Sequence, residues 1–212
     1  MSLDGYANFK TAIAEWADRT DLTARIPDFI ALAEIRIGRD LRLRVMEKRS
    51  QMSTVGNQEY YGLPDGFVQA RHVKMISGSM HRDMNYLSPE AIEETNMRKY
   101  SGGTGEPRYY TFVGDEMRVI PSPAGVYTVE IVYYKTPDVL SASQTSNRLY
   151  EQNKDVYLYA TLLEVATYLR DIEGAKGWGT MYSTAIKSAE DADSRDRHSG
   201  GALFVSGDHF GA

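Results

Sequence analysis

The residues whose types could do chemistry are few: the adjacent pair Glu93-Glu94, and His72 and His81 near Asp83. Paired carboxylates can share acid and base work across a glycosidic bond, but only when they face each other over a cleft. Neighbours on a helix diverge by about 100°, so Glu93 and Glu94 do not converge by themselves. Two histidines and an aspartate around a turn could be half a metal site, yet no HExxH-type spacing supports it. Surface histidines in a hairpin are the plainer reading. The glycine-rich stretch SGGTGEP lacks the lysine and hydroxyl residue of a P-loop and leads through Glu106-Pro107 into a strand, so it reads as an ordinary loop. No GxSxG or other nucleophile motif is present. The residues point to no catalytic site, no metal and no cofactor.

Composition narrows the classes further. The 212 residues carry 24 Lys+Arg against 29 Asp+Glu, a formal net charge of −5, which disfavours a protein that wraps DNA through its phosphates. Cysteine is absent, which removes disulfides, zinc-thiolate sites and thiol nucleophiles and suits a reducing cytoplasm. The first residues, MSLDGYANFK, do not read as a signal peptide, and no apolar run is long enough for a membrane span. Tyrosine dominates the aromatics, with 15 Tyr against 6 Phe and 2 Trp, and tyrosine suits half-wet contact surfaces.

The elements that would carry these residues follow from periodicity. Asp155 to Arg170 is apolar around most of its circumference, with Thr161, Glu164, Tyr168 and Asp171 as a narrow polar face. Such a helix must be wrapped by others. A first helix, about Asp4 to Asp18 with Asp4 as cap, offers the stripe Tyr6, Phe9, Ile13, Trp16. A second, opened by Pro27-Asp28, buries Ile26, Ile30, Ala33, Ile37 and Leu41. A last helix offers Trp178, Met181, Tyr182, Ala185, Ile186 and Ala189, and Gly174, Gly177 and Gly179 loosen the end of the helix before it. Between these lie short β-prone runs. Val45 to Thr54 and Gln58 to Leu63 read as a hairpin at Gly56-Asn57, and Arg71 to Ile76 and Met84 to Leu87 as further strands. Arg108 to Val113, Glu116 to Ile120 and Val126 to Lys135 read as a three-stranded meander, the last strand apolar on both faces. Ser88-Pro89-Glu90 opens one short helix.

The expected fold is α+β: a helical bundle from residues 1–44 and 138–198, an inserted antiparallel β-rich module over 45–137 with one short helix, and an extended tail over 199–212. The basic cluster Arg36, Arg39, Arg42, Arg44, Lys48, Arg49 has three readings: a solvated helix end, a nucleic-acid contact, or a partner for acidic groups on another subunit. The tail carries Leu203, Phe204, Val205 and Phe210 between glycines, which suits a segment that orders on a partner.

Three stretches together carry a likeness: RIPDFIALAEIRIGRDLR, GTGEPRYYTFVGDEMRVIPSPAGVYTVEIVYYKTP and DVYLYATLLEVATYLRDIEGAKGW. In order and spacing the chain from about Thr23 onward resembles the adaptor (head-to-tail connector) proteins of tailed bacteriophages. The resemblance implies a structural, non-enzymatic virion protein at the head-tail junction, assembled in the host cytoplasm. It implies a homo-oligomeric ring, commonly of twelve copies, beneath the portal protein. The ring would extend the DNA channel without sequence-specific binding and would offer a platform to a tail nozzle, stopper or other tail component. Under that reading Leu203, Phe204, Val205 and Phe210 become portal contacts. Arg36, Arg39, Arg42, Tyr133, Tyr134 and Asp191 become contacts between copies, and Glu164 and Asp171 face the channel or a neighbour. No membrane is involved. Two alternatives stand beside it: a connector-associated peptidoglycan hydrolase using Glu93 or Glu94 as acid, and a small DNA-binding packaging or regulatory protein using Arg36 to Arg49.

Overall fold

The computed structural model describes residues 2–198. Two compact units emerge, one from the chain up to Val45 and from Pro137 onward, the other from Met46–Thr136. The architecture is α+β. The tail residues Leu203, Phe204, Val205 and Phe210 lie outside the described residues.

The first unit is helical: α1 (Gly5–Trp16), α2 (Ile26–Asp40), a short α4 (Arg148–Gln152), α5 (Lys154–Tyr168) and α6 (Ile172–His198); α3 belongs to the other unit. Helix α5 is its centre, with Val156, Tyr157, Leu158, Ala160, Thr161, Leu162, Val165 and Ala166 all buried. Thr161, expected on the polar face, is fully buried because its hydroxyl donates to the Tyr157 carbonyl one turn back at 2.8 Å. Pro27 and Asp28 sit in the first turn of α2 as expected. Asp4 occupies the cap position of α1, but its carboxylate pairs with Lys154 rather than with the helix. The glycines Gly174, Gly177 and Gly179 do not loosen the end of α5, which stops earlier, at Tyr168. Helix α6 starts at Ile172 and runs through them for 27 residues, about 40 Å. Asp171 makes this possible, accepting the Gly174 N–H at 3.0 Å on Oδ1 and so satisfying a donor that the first turn leaves open.

The second unit holds two four-stranded sheets. The first has the order β1 (Glu47–Ser53), β10 (Thr128–Lys135), β3 (Phe67–Ser77), β4 (Met80–Asp83) and is antiparallel throughout. The second has the order β2 (Tyr60–Gly62), β8 (Glu116–Ile120), β7 (Tyr109–Val113), β5 (Asn85–Tyr86), with β5 parallel to β7. Val73, Met75, Val129, Ile131 and Tyr133 from the first sheet share one core with Tyr61, Tyr110, Met117 and Val119 from the second. Helix α3 (Pro89–Thr95) is capped by Ser88 Oγ, which accepts the Ala91 N–H at 3.3 Å, and it ends in one π turn, Asn96–Tyr100.

Two expected pairings are wrong. The segments around Gly56-Asn57 are not a hairpin, because β1 pairs with β10 and β2 with β8. The meander is only a hairpin, β7–β8 at Gly114, while β10 leaves for the other sheet. The linker explains the departure. Ser122–Pro123 pairs in parallel with Thr104–Gly105 (β9 with β6), and this clip leads the chain away from β8 before β10 begins. The same clip pins the glycine-rich loop, as does the bond from Ala124 N to Gly105 O at 3.0 Å.

The second face of β10 is not apolar packing. Gln51, Glu130 and Lys74 stand in one row across β1, β10 and β3. Glu130, only 5% exposed at its side chain, accepts from Gln51 at 2.6 Å and pairs with Lys74 at 2.8 Å and Arg49 at 3.3 Å. Burial of a carboxylate is tolerated because its lone pairs are filled. Those contacts, Lys74 first, hold its carboxyl below the usual range.

Candidate contact surfaces

Glu93, the candidate acid, meets Arg118 on β8, whose Nη2 stands 3.3 Å from Glu93 Oε2. Arg118 itself is nearly buried. Its Nε donates to Glu59 at 2.8 Å, Glu59 in turn accepts from the Ser122 hydroxyl at 2.6 Å, and the guanidinium lies over the Tyr60 ring. The guanidinium holds the Glu93 carboxyl below its ordinary range. A glycosidase acid needs the opposite shift, so that it keeps its proton near neutrality. Glu94 points to Arg98 on the surface at 2.8 Å. This cluster is a brace between α3 and β8. His72 pairs with Asp83 at 2.8 Å on an exposed hairpin face, and among the described residues no three His, Cys, Asp or Glu side chains gather as a metal site. No helix among them is long and apolar enough to cross a membrane.

The residues expected between copies are divided. Arg36 and Glu164 face each other across α2 and α5, with Arg36 Nη2 and Nε at 2.6 and 2.8 Å from Glu164 Oε1. Glu164, 12% exposed, is an internal brace and not an outward face. Tyr133 is core, stacked on Phe67 at 5.6 Å between ring centres. Tyr134, its neighbour along β10, is half-buried. Arg42 folds back on the end of α2, donating to the carbonyls of Gly38 and Leu41 at 2.6 Å each. Arg39 stands exposed. Asp191 is exposed on α6, while Asp171, also exposed, caps that helix.

The basic segment that follows α2 and the acidic last helix also meet inside one chain. Arg44 Nη2 lies 3.7 Å from Asp196, its backbone N–H donates to Asp193 at 3.0 Å, and Tyr182 donates to Asp40 at 3.0 Å. These bonds dock the far half of α6 along the end of α2. That use of the acidic helix was invisible in a charge count.

Two apolar surfaces were missed by the sequence reading. Leu32 and Ile35 on α2 are 50% and 51% exposed. Both fall outside the buried stripe, at spacings that could have marked them. A groove of about 460 Å³ opens between α1, α5 and α6, lined by Trp16, Leu162, Val165, Leu169, Trp178 and Met181 among others. Trp16 and Trp178 meet at 5.8 Å, and Trp178 stacks on Tyr159 at 6.2 Å. Trp16 (41%) and Met181 (49%) stay exposed although their stripes marked them as buried.

No curated protein matches the chain. The family model described as SU10 adaptor protein matches residues 5–203, through both units and every helix. The chain therefore belongs to the SU10 adaptor protein family, a family of phage head-tail adaptors.

Proposed function

We propose that the protein forms a ring, of twelve copies, beneath the portal of a tailed phage, where it lengthens the DNA channel and offers a platform to the next tail component. The observation that carries this reading is the family match across nearly the whole described chain. Three features support it. The net charge of −5 suits a channel that DNA must slide through without adhering. A helical unit knit by the Arg36–Glu164 ion pair between α2 and α5 and the Tyr182–Asp40 hydrogen bond between α6 and α2 gives a stiff post for each copy. Glu93, held ionised by Arg118, suits a structural brace better than a hydrolase acid. In this proposal Leu203, Phe204, Val205 and Phe210 reach the portal, and Arg39, Tyr134 and Asp191 serve contacts between copies.

The test is to mix the purified full chain with portal-bearing heads and image the portal vertex. A ring of density there is expected, and its loss on deleting 199–212 would mark the tail as the anchor. A bare vertex at saturating protein would overturn the proposal. Peptidoglycan clearing on a zymogram that disappears in Glu93→Gln would favour the hydrolase. Salt-dependent DNA binding by the isolated chain would favour the DNA-binding reading.

A further inference from the structure

The exposed apolar face of α2 and the tryptophan groove lie on one unit and do not meet within it. On α2 the buried residues Ile26, Phe29, Ile30, Ala33 and Ile37 fill one arc, and Leu32, Ile35 and Arg39 lie about 140° round from its centre at about 100° per residue. On α5, Glu164 and Tyr168 face α2 through Arg36 and Phe29. The groove residues Leu162, Val165, Ala166 and Leu169 are centred about 130° away on the same helical wheel. The ridge and the groove therefore open in different directions. With the ridge and the groove facing so far apart, one two-fold contact does not bury both pairs at once. They meet head to tail, on successive copies, and such contacts close into a ring when the rotation from copy to copy divides a full turn.

Charge agrees with that pairing. Arg39 is exposed beside Ile35 at the C-terminal end of the ridge, and Asp28 is exposed one turn before Leu32 at the other end. At the groove, Glu15 and Asp18 flank the lining residues Trp16 and Ala17, and the exposed Asp171 and Glu173 stand at the start of α6. Arg170 and Lys176 offset two of these four, and the neighbouring Arg19 is paired with Asp21, leaving the rim acidic. A ridge with a basic end would face a groove with an acidic edge, which favours this register and discourages groove against groove. The groove also has the lining of an interface centre, with two Trp and a Met around apolar walls.

We infer that the Leu32–Ile35–Arg39 ridge of one copy seats in the Trp16–Trp178–Met181 groove of the next. This rests on the ring reading above and names the surface that would build it. Because the chain has no cysteine, the contact can be tested by thiol crosslinking with no background from the chain itself. The full-length double variant Ile35→Cys/Met181→Cys is assembled on portal-bearing heads and treated with a short bismaleimide, then resolved on a denaturing gel. Covalent ladders of two, three and more chains are expected from the double variant. Mixing the two single variants should give dimers only, and either single variant alone should give monomers. Rings that image normally but yield no ladder would overturn the contact while leaving the ring intact. Vertices without rings would sink both. Rings whose single variants crosslink as well as the double would also overturn it, because that pattern needs like-with-like contacts. As a second readout, Arg39→Glu should weaken ring occupancy at least fivefold, and adding Glu173→Arg in the same chain should restore part of it; no rescue with intact folding would count against the pairing.

Discussion

Glu34 offers the sharpest quantitative test of the helical unit. It lies on α2 beside the buried Ala33, and its Oε1 accepts the Leu140 N–H at 2.9 Å, fastening the chain that leads toward α4. Burial raises its carboxyl from 4.5 to about 7, and the Leu140 bond only partly opposes this. Tyr6 on α1 and Tyr157 on α5 feel its charge, and both are themselves pushed up, chiefly by burial, so they stay neutral. The sign follows directly. The folded chain keeps a proton that the unfolded chain releases above about pH 4.5, so stability falls as pH rises from there and levels off once the folded carboxyl has ionised above about pH 7. A rise from 4.5 to about 7 corresponds to roughly 3 kcal/mol. Residual solvent contact reduces the usable figure to about 1–2 kcal/mol. Glu34→Gln keeps an oxygen for Leu140 and removes the ionisation. It should match the native chain at pH 5 and exceed it by about 1–2 kcal/mol at pH 8, or about 3–6 °C in Tm for a chain of this size. Thermal melts followed by helical circular dichroism at pH 5, 6, 7 and 8 read this difference. Glu34→Leu, which strips the acceptor as well, should cost about 1 kcal/mol at pH 5. A Gln-minus-Glu difference that is constant from pH 5 to 8, or that shrinks as pH rises, would refute the reasoning.

Other expectations concern the braces and the glycines. Arg118→Met removes the cation that Glu59 and Glu93 share; with Glu93 largely exposed, a loss of about 2–3 kcal/mol is expected in urea unfolding, and less than 0.5 kcal/mol would show the cluster to be ornamental. Gly177→Ala adds a methyl where nothing lies within 4 Å, so it should stabilise α6 by about 0.5–1 kcal/mol. Gly174→Ala would collide with the Asp171 carboxylate, so it should displace the cap and forfeit that gain; equal stabilisation by both changes, measured as Tm, would disprove the capping argument. Arg39→Glu should leave the Tm within about 2 °C, since this side chain is exposed, whereas Arg42→Glu should lower it by more because two carbonyls at the end of α2 lose their donor. Equal melting of the two would refute that division of labour.

Local pattern made the helices legible, and long-range pairing made the sheets illegible. The spacing of Ile26, Ile30, Ala33, Ile37 and Leu41 placed α2, and the near-uniform apolarity of Asp155 to Arg170 placed the buried centre, because each is a property of one segment against any core. The hairpin at Gly56-Asn57 failed because β2 finds β8 some sixty residues away, and nothing in a turn dipeptide encodes that choice. The contact surface was half legible in the same sense. Arg39 was visible as charge, but whether Arg36 and Arg44 were spent at home depended on where Glu164, Asp193 and Asp196 arrived. Periodicity placed Trp16 and Trp178 on buried stripes, and it was right about direction but silent about depth. The two indoles face the same groove, and no described segment covers Trp16 or Met181 fully. In a chain that works alone such a surface would be a liability; under the proposed ring a neighbouring copy would cover it, with the ridge at Leu32 and Ile35 seated against the groove at Trp16 and Trp178.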